Sequence, residues 1–338
     1  MTRAIAYESA RVQERKLRFA LPKGSLEAST FDLMRRALYE VRGQDRTYRP
    51  LINDPEIELK VLRPQEIPVY VAEGLYDLGI TGIDWIEETG ANVKELMDLE
   101  YGPVRLVVAA PSREKYRDMD DLMERRLARG LDVKISTEYI NLTRRYLKGK
   151  EVYRRYFGDQ EPLVVTPWFR IGSNNRVIIF LSFGATEAKP PEEADAIVDN
   201  TATGLTLEQN NLSVLETIRH STARLIASKK SLTDPWKREK ILDIVALFRG
   251  VVDSQKRVHI FLNVHQDNLG ELLSILPSLK SPTVNKLARE GWYAVNTVLD
   301  KSQLFNLMPR LRRLAQGLVI HEPQLLLSLE DMPSLDGE

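Results

Sequence analysis

Residues 194–212 read ADAIVDNTATGLTLEQNNL. An alternating run, Ala196 to Val198, ends at Asp199. Thr201, Ala202, Thr203, Gly204, Leu205 and Thr206 follow, and Leu207, Glu208 and Gln209 begin a helical pattern. Strand, small-residue loop and helix in that order make an α/β unit. Small side chains and Gly204 let the backbone approach a ligand, three threonine hydroxyls add donors, and N–H groups at a helix start favour an anion. The stretch has two readings: a phosphate cradle, or an ordinary strand-to-helix turn with Thr206 as N-cap. The surrounding chain has to decide between them.

Toward the amino end, residues 17–21 (LRFAL) predict a strand closed by Pro22, Lys23, Gly24 and Ser25, with Phe31, Met34, Leu38 and Val41 at helical spacing behind it. Ile57, Leu59 and Val61 alternate in a second strand that ends at Arg63, with Pro64 placed to open a helix. Residues 75–80 (LYDLGI) form a third, closed by a Thr81-Gly82 turn with Asp84 as helix cap. Three such units predict a largely parallel sheet covered by helices, with Lys23, Arg63, Thr81 and Gly82 at the carboxyl ends of strands, where small molecules bind. A single loop lysine is more often merely solvated.

Residues 104–110 and 132–136 are expected strands, with Thr137 capping a helix that carries Tyr139, Leu142 and Tyr146. Strands at 163–166 and 177–182 flank a hairpin or loop anchored by Trp168, Phe169 and Ile171. The opening stretch then belongs to a second lobe, and the runs 213–218 and 222–227 are expected to return to the first. Loops of two lobes facing each other make a default ligand site. Beyond a helix at 235–248, the order of elements is β-α-β-β-α-β, a ferredoxin-like domain whose leucine stripes (Leu269, Leu272, Leu273, Leu276; Leu304, Leu307, Leu311, Leu314) read as core.

The totals narrow the function. With 338 residues, 43% hydrophobic and 28% charged, the chain can form two or three globular domains. Lys+Arg and Asp+Glu are equal at 48 each, so no global field draws it to nucleic acid or membrane. The absence of cysteine excludes disulfides, thiolate nucleophiles and Cys-ligated zinc. The first sixteen residues lack the apolar core of a signal peptide, so the expectation is a cytoplasmic protein with a frayed N-terminus. The four histidines show no metal-ligand spacing, and there is no nucleophile elbow, Walker lysine or dinucleotide fingerprint. A phosphate loop, an acidic residue before it and basic residues opposite suit a phosphorylated sugar whose diphosphate leaves. The loop would hold a terminal phosphate, Asp199 the sugar hydroxyls or Mg²⁺, and Lys23 with Arg63 the departing charge.

LRFALPKGSL, LYDLGITGIDWIEE, KISTEYINLTRRYL and ADAIVDNTATGLTLEQNNLSVLETIRHSTARLIAS resemble segments of ATP phosphoribosyltransferase. SPTVNKLAREGWYAVNTVLDKSQLFNLMPRLRRLAQGLVI resembles the regulatory domain of that family's long form. The resemblance implies an α/β fold of two lobes like the type II periplasmic binding proteins, plus an ACT-like C-terminal domain. Residues 1–103 and 214–230 would form the first lobe, 104–213 the second, 231–256 a linker helix and 257–330 the regulatory domain. It implies Mg²⁺-dependent transfer of phosphoribosyl from phosphoribosyl pyrophosphate to N1 of ATP, histidine as allosteric inhibitor, and dimers that build hexamers. Asp199 and residues 201–206 would hold the sugar phosphate. Lys23, Gly24, Arg63, Thr81 and Gly82 would face pyrophosphate or ATP, and Thr137, Glu138 and Tyr139 would line the second lobe. No catalytic base is implied, because N1 already carries a lone pair.

Three departures stand out. The family loop often has Ser at the position of Ala202, and Arg or a small residue at that of Leu205. Residues 167–180 look inserted, and 187–193 (EAKPPEE) are shorter and richer in proline than the family's helix. The alternatives are a non-catalytic ligand-binding paralogue, and a phosphoribosyltransferase with another purine acceptor.

Overall fold

A computed structural model describes residues 15–44, 46–277 and 281–327; the frayed N-terminus expected above, and the last residues of the regulatory domain, lie outside these. The first elements are β1 (Leu17–Pro22), α1 (Glu27–Arg36), β2 (Val41–Arg42), β3 (Leu51–Ile52), β4 (Ile57–Leu62), α2 (Ile67–Ala72), β5 (Leu78–Gly82), α3 (Ile83–Thr89) and β6 (Lys94–Asp98). Next come β7 (Val104–Pro111), α4 (Met119–Leu127), β8 (Val133–Thr137), α5 (Ile140–Gly149), α6 (Glu151–Phe157), β9 (Pro162–Val165), β10 (Arg170–Ile171), β11 (Asn174–Leu181), β12 (Ala196–Thr201), α7 (Leu205–Gln209), β13 (Leu212–Ser221) and β14 (Ala223–Ala227). The chain ends with α8 (Pro235–Gln255), β15 (Arg257–His265), α9 (Gln266–Ile275), β16 (Thr283–Lys286), β17 (Trp292–Asp300), α10 (Lys301–Leu314) and β18 (Ala315–His321).

Two sheets organise residues 17–29 and 59–233, which form one compact unit. The first has the order β4-β1-β5-β14-β6, with β1 and β5 parallel and β14 antiparallel to both its neighbours. The second has the order β10-β9-β11-β8-β12-β7-β13. Its strand β7 is buried from Leu106 to Ala110, because an antiparallel strand on each side leaves it central and both its faces are covered. The chain crosses between the sheets twice, and the crossings are stitched together: Leu99 N–H donates to Ala223 O at 2.9 Å and Ala223 N–H to Tyr101 O at 3.0 Å. A late strand returning antiparallel into the first sheet is the topology of type II periplasmic binding proteins. The return comes later than the 213/214 boundary expected from sequence, since β13 pairs with β7 of the second sheet up to Ser221.

Local expectations needed other adjustments. Leu38 and Val41 do not extend α1: Leu38 has φ 67° and is exposed, and Val41 enters β2. The buried face of the helix is Thr30, Leu33 and Met34. Pro64 lies in a turn, and it is Pro68 that sits in the first turn of α2. The segment 167–180 divides in two. Residues from Asn174 onward belong to β11, and 166–173 form a hairpin that lays β10 on β9.

The other compact unit comprises the described residues among 1–16, 30–58 and 234–338. Here the segment expected as a linker helix forms α8 and buries one of its faces. Asp234 caps it, accepting from the N–H groups of Trp236 and Lys237, and Ile241, Ile244 and Phe248 are fully buried, Phe248 meeting Tyr39 edge to face. The final sheet has the order β16-β17-β15-β18, antiparallel throughout, as a ferredoxin-like domain requires. Leu272, Leu276 and Leu311 join Val258, Ile260, Leu262 and Val264 in its core, with the remaining leucines of both stripes packed against it.

Candidate active site

Lys23 and Arg63 are exposed at adjacent carboxyl ends, because Lys23 N–H donates to Leu62 O at 2.8 Å. Gly24 N–H donates to Glu27 Oε2 and Arg63 N–H to Glu66 Oε2, which shapes both turns. Thr81 and Gly82 are not a ligand-facing turn. Both belong to β5, Thr81 is fully buried, and its hydroxyl donates to Pro64 O at 2.7 Å. Thr81 therefore fixes the Arg63-Pro64 turn. Gly82 is required for another reason: a Cβ there would lie 2.0 Å from Asp84 Oδ1.

In the second sheet β9, β11, β8 and β12 run parallel, so their carboxyl ends share one edge. That edge carries the hairpin tip 166–169, the loop 182–186, residues 137–139 and the loop 201–206. Gly204 (φ 87°), not Thr206, is the N-cap of α7, which is only five residues long. Gly204 N–H donates to Thr201 Oγ1 at 2.9 Å and Leu205 N–H to Thr203 Oγ1 at 3.4 Å. Two hydroxyls thus brace the loop rather than reach outward. The N–H groups of Thr203 and Thr206 have no acceptor among the described residues, and both residues are exposed with Ala202. Such an array suits an anion.

Asp199 lies at the start of this loop, its Oδ1 accepting from Asn200 N–H at 2.7 Å. Burial pushes its carboxyl up to about 6; the Asn200 N–H opposes the rise, while Glu138 and Glu187 add to it. Glu138 is the accessible member of the expected second-lobe wall, and its Oε1 accepts from Gly184 N–H at 2.9 Å. Thr137 and Tyr139 are buried. The Thr137 hydroxyl donates to Val198 O and accepts from Tyr139 N–H, so it locks β8 to β12 instead of capping α5.

The two halves meet through Tyr139 and Asp84, read from sequence as a wall residue and a helix cap, together with Asn200 and Ser221, which sequence does not single out. Tyr139 OH donates to Asp84 Oδ2 at 2.7 Å and accepts from Asn200 Nδ2 at 2.7 Å, while Ser221 Oγ donates to Asp84 Oδ1 at 2.6 Å. Trp85 stacks on Tyr139, with ring centroids 4.3 Å apart. Burial and the adjacent Asp84 raise the Tyr139 phenol far above its ordinary range, so it stays a donor. One turn along α3, Glu88 accepts from the N–H groups of Asn141 and Leu142, both at 2.8 Å. The cap of α5 thus comes from the first lobe. Burial raises the Glu88 carboxyl, with those N–H donors opposing. Asp84 looked like a helix cap in the sequence because its partners lie 55 and 137 residues away.

A two-lobed binding-protein scaffold, with a glycine-capped loop at the carboxyl edge of its second sheet and an attached ferredoxin-like domain, is the class that fold and site define. A family model described as ATP phosphoribosyltransferase matches residues 63–250, and one described as HisG, C-terminal domain, matches residues 254–322. The ATP phosphoribosyltransferase of Desulforudis audaxviator (strain MP104C) is 39% identical over 313 residues, 91% of this chain and 98% of the relative. That of Pelotomaculum thermopropionicum (strain DSM 13744 / JCM 10971 / SI) is 38% identical over 315 residues, again 91% and 98%. Among solved structures, the ATP phosphoribosyl transferase (HisG:HisZ) complex from Thermotoga maritima aligns with TM-score 0.52 at 23% identity, covering 70% of this chain and 98% of that one, which bears on the fold alone. The chain belongs to the ATP phosphoribosyltransferase family, in the long form with a regulatory C-terminal domain. It is a glycosyltransferase of the first step of histidine biosynthesis.

Proposed function

We propose that the carboxyl edge around Asp199 is where phosphoribosyl pyrophosphate reacts with ATP. The observation that carries this is the juxtaposition of Asp199, Glu138 and Glu187 with the exposed N–H groups of the 201–206 loop. In this reading the loop holds the 5-phosphate, and Asp199, ionised at pH 7, orients the ribose hydroxyls. Lys23 and Arg63 take up negative charge on the leaving group. The lone pair of adenine N1 forms the new bond to C1′ as the C1′–O bond breaks, and that electron pair departs with pyrophosphate. No proton must move at the reacting nitrogen, so positioning and charge stabilisation supply the catalysis.

The donor set fits Mg²⁺. All candidate ligands are hard oxygens, and among the described residues no group of three or more His, Cys, Asp or Glu is placed to hold a metal by itself. That suits an ion bound through one or two carboxylates and the substrate's phosphates. Asp199, with Glu138, would contact it, and bound there it would neutralise the leaving pyrophosphate. We further propose that histidine binds the C-terminal domain as inhibitor, that the chain assembles as dimers and hexamers, and that it works in the cytoplasm. No helix among the described residues is long and apolar enough to cross a membrane.

The test is formation of phosphoribosyl-ATP and pyrophosphate by the purified full chain with ATP, phosphoribosyl pyrophosphate and Mg²⁺, with and without histidine. A protein that binds histidine in calorimetry but neither binds the sugar phosphate nor forms product would be the non-catalytic paralogue. A purine panel in which another acceptor outpaces ATP would reassign the acceptor.

A further inference from the structure

Trp168, Phe169 and Ile171, expected to anchor their hairpin, are exposed on it. Trp168 is 73% exposed, and Phe183, on the loop after β11, is 69% exposed. The two rings meet edge to face, centroids 5.8 Å apart at 84°. Two large rings left together in water forgo the free energy of burial, and such patches mark places where something binds.

Their position says what. Both sit at the carboxyl ends of parallel strands, on the edge that carries Asp199 and the 201–206 loop. With strands about 4.8 Å apart, the end of β11 lies two strands, roughly 10 Å, from the end of β12. That is comparable to the span from a ribose 5-phosphate to the far edge of a base at C1′. The loop holding Phe183 is fixed by the site's own residues: Ser182 N–H donates to Thr137 O at 2.9 Å and Gly184 N–H to Glu138 Oε1 at 2.9 Å. Resting on the reaction assigned above, we propose that Trp168 and Phe183 form the stacking platform for the purine of the nucleotide acceptor. Stacking grips a base by its face and tolerates any π system. It therefore leaves the N1 edge free to attack C1′.

The test uses the full-length protein and ATP. Trp168→Ala and Phe183→Ala are expected to raise KM for ATP about tenfold, equivalent to ~1.4 kcal/mol. KM for phosphoribosyl pyrophosphate and kcat should stay within about twofold, and Trp168→Phe should recover most of the loss. ATP should quench the tryptophan fluorescence of the wild type, and the quench should vanish in Trp168→Phe. Active wild type with an unchanged KM for ATP in both alanine variants overturns the platform, as does a rise confined to the sugar phosphate. If the wild type forms no product yet ATP quenches Trp168, the platform stands and the reaction assignment falls. If there is neither product nor quench, both fall.

Discussion

Asp199→Asn offers the sharpest check on the site's electrostatics. The native carboxyl is raised from 3.8 to about 6 by burial and by Glu138 and Glu187. Two pH units at about 1.4 kcal/mol each set an upper bound near 3 kcal/mol for the cost of ionising Asp199 in the folded protein, and partial solvation reduces it to about 1–2. Because the folded pKa is the higher one, the folded state holds the proton more tightly. The stabilising contribution of protonation is complete below about pH 4 and is lost as pH rises through 4 to 6. Asparagine keeps the oxygen that accepts from Asn200 N–H and carries no charge. Thermal melts of the ligand-free protein at pH 7.5 should then show Asp199→Asn more stable than wild type by a few degrees, with the gap closing near pH 4. The same variant should lose about 100-fold or more in kcat/KM, since it lacks the anion proposed to face the ribose and Mg²⁺. A variant no more stable than wild type at pH 7.5, or an advantage independent of pH, would refute the idea that burial and crowded carboxylates load this position.

Three further outcomes are expected. The pH profile of kcat/KM should have an acid limb near 6, where Asp199 loses its charge, and Glu187→Gln should move that limb to lower pH in a full pH–rate series. Tyr139→Phe removes the hydroxyl between Asp84 and Asn200, so denaturant melts should show about 1–3 kcal/mol of lost stability; an unchanged midpoint would mean that the bridge contributes nothing. Gly204→Val forces a β-branched residue to φ 87° in open space, so its cost is backbone strain of roughly 1–2 kcal/mol, and the apparent requirement for phosphoribosyl pyrophosphate should rise more than that for ATP.

Much of this molecule can be read from local pattern. Short apolar or alternating runs locate β1, β4, β8, β12 and β15, and helical leucine spacing locates α9 and α10, because each signal lies within one element. The order β-α-β-β-α-β carries the last domain for the same reason. The 201–206 loop is visible as residues, though not its bracing: that Thr201 and Thr203 turn their hydroxyls onto their own backbone depends on Gly204 taking a positive φ. Other features depend on partners far along the chain. The fate of β13 is set by eight register pairs with β7, about a hundred residues away. Thr81, Thr137 and Tyr139 look like loop residues of a cleft, yet burial turns them into scaffold, each spending its polar group on the backbone or a carboxylate. Glu88 caps a helix of the other lobe, and Asp199 acquires its raised pKa from burial, with Glu138 and Glu187 adding to it. The sequence by itself determined where most of the long strands and helices form, since propensity and periodicity act over a few residues. Only the tertiary structure decided which polar groups face a ligand and which are consumed inside, because burial and charge depend on every element packed against them.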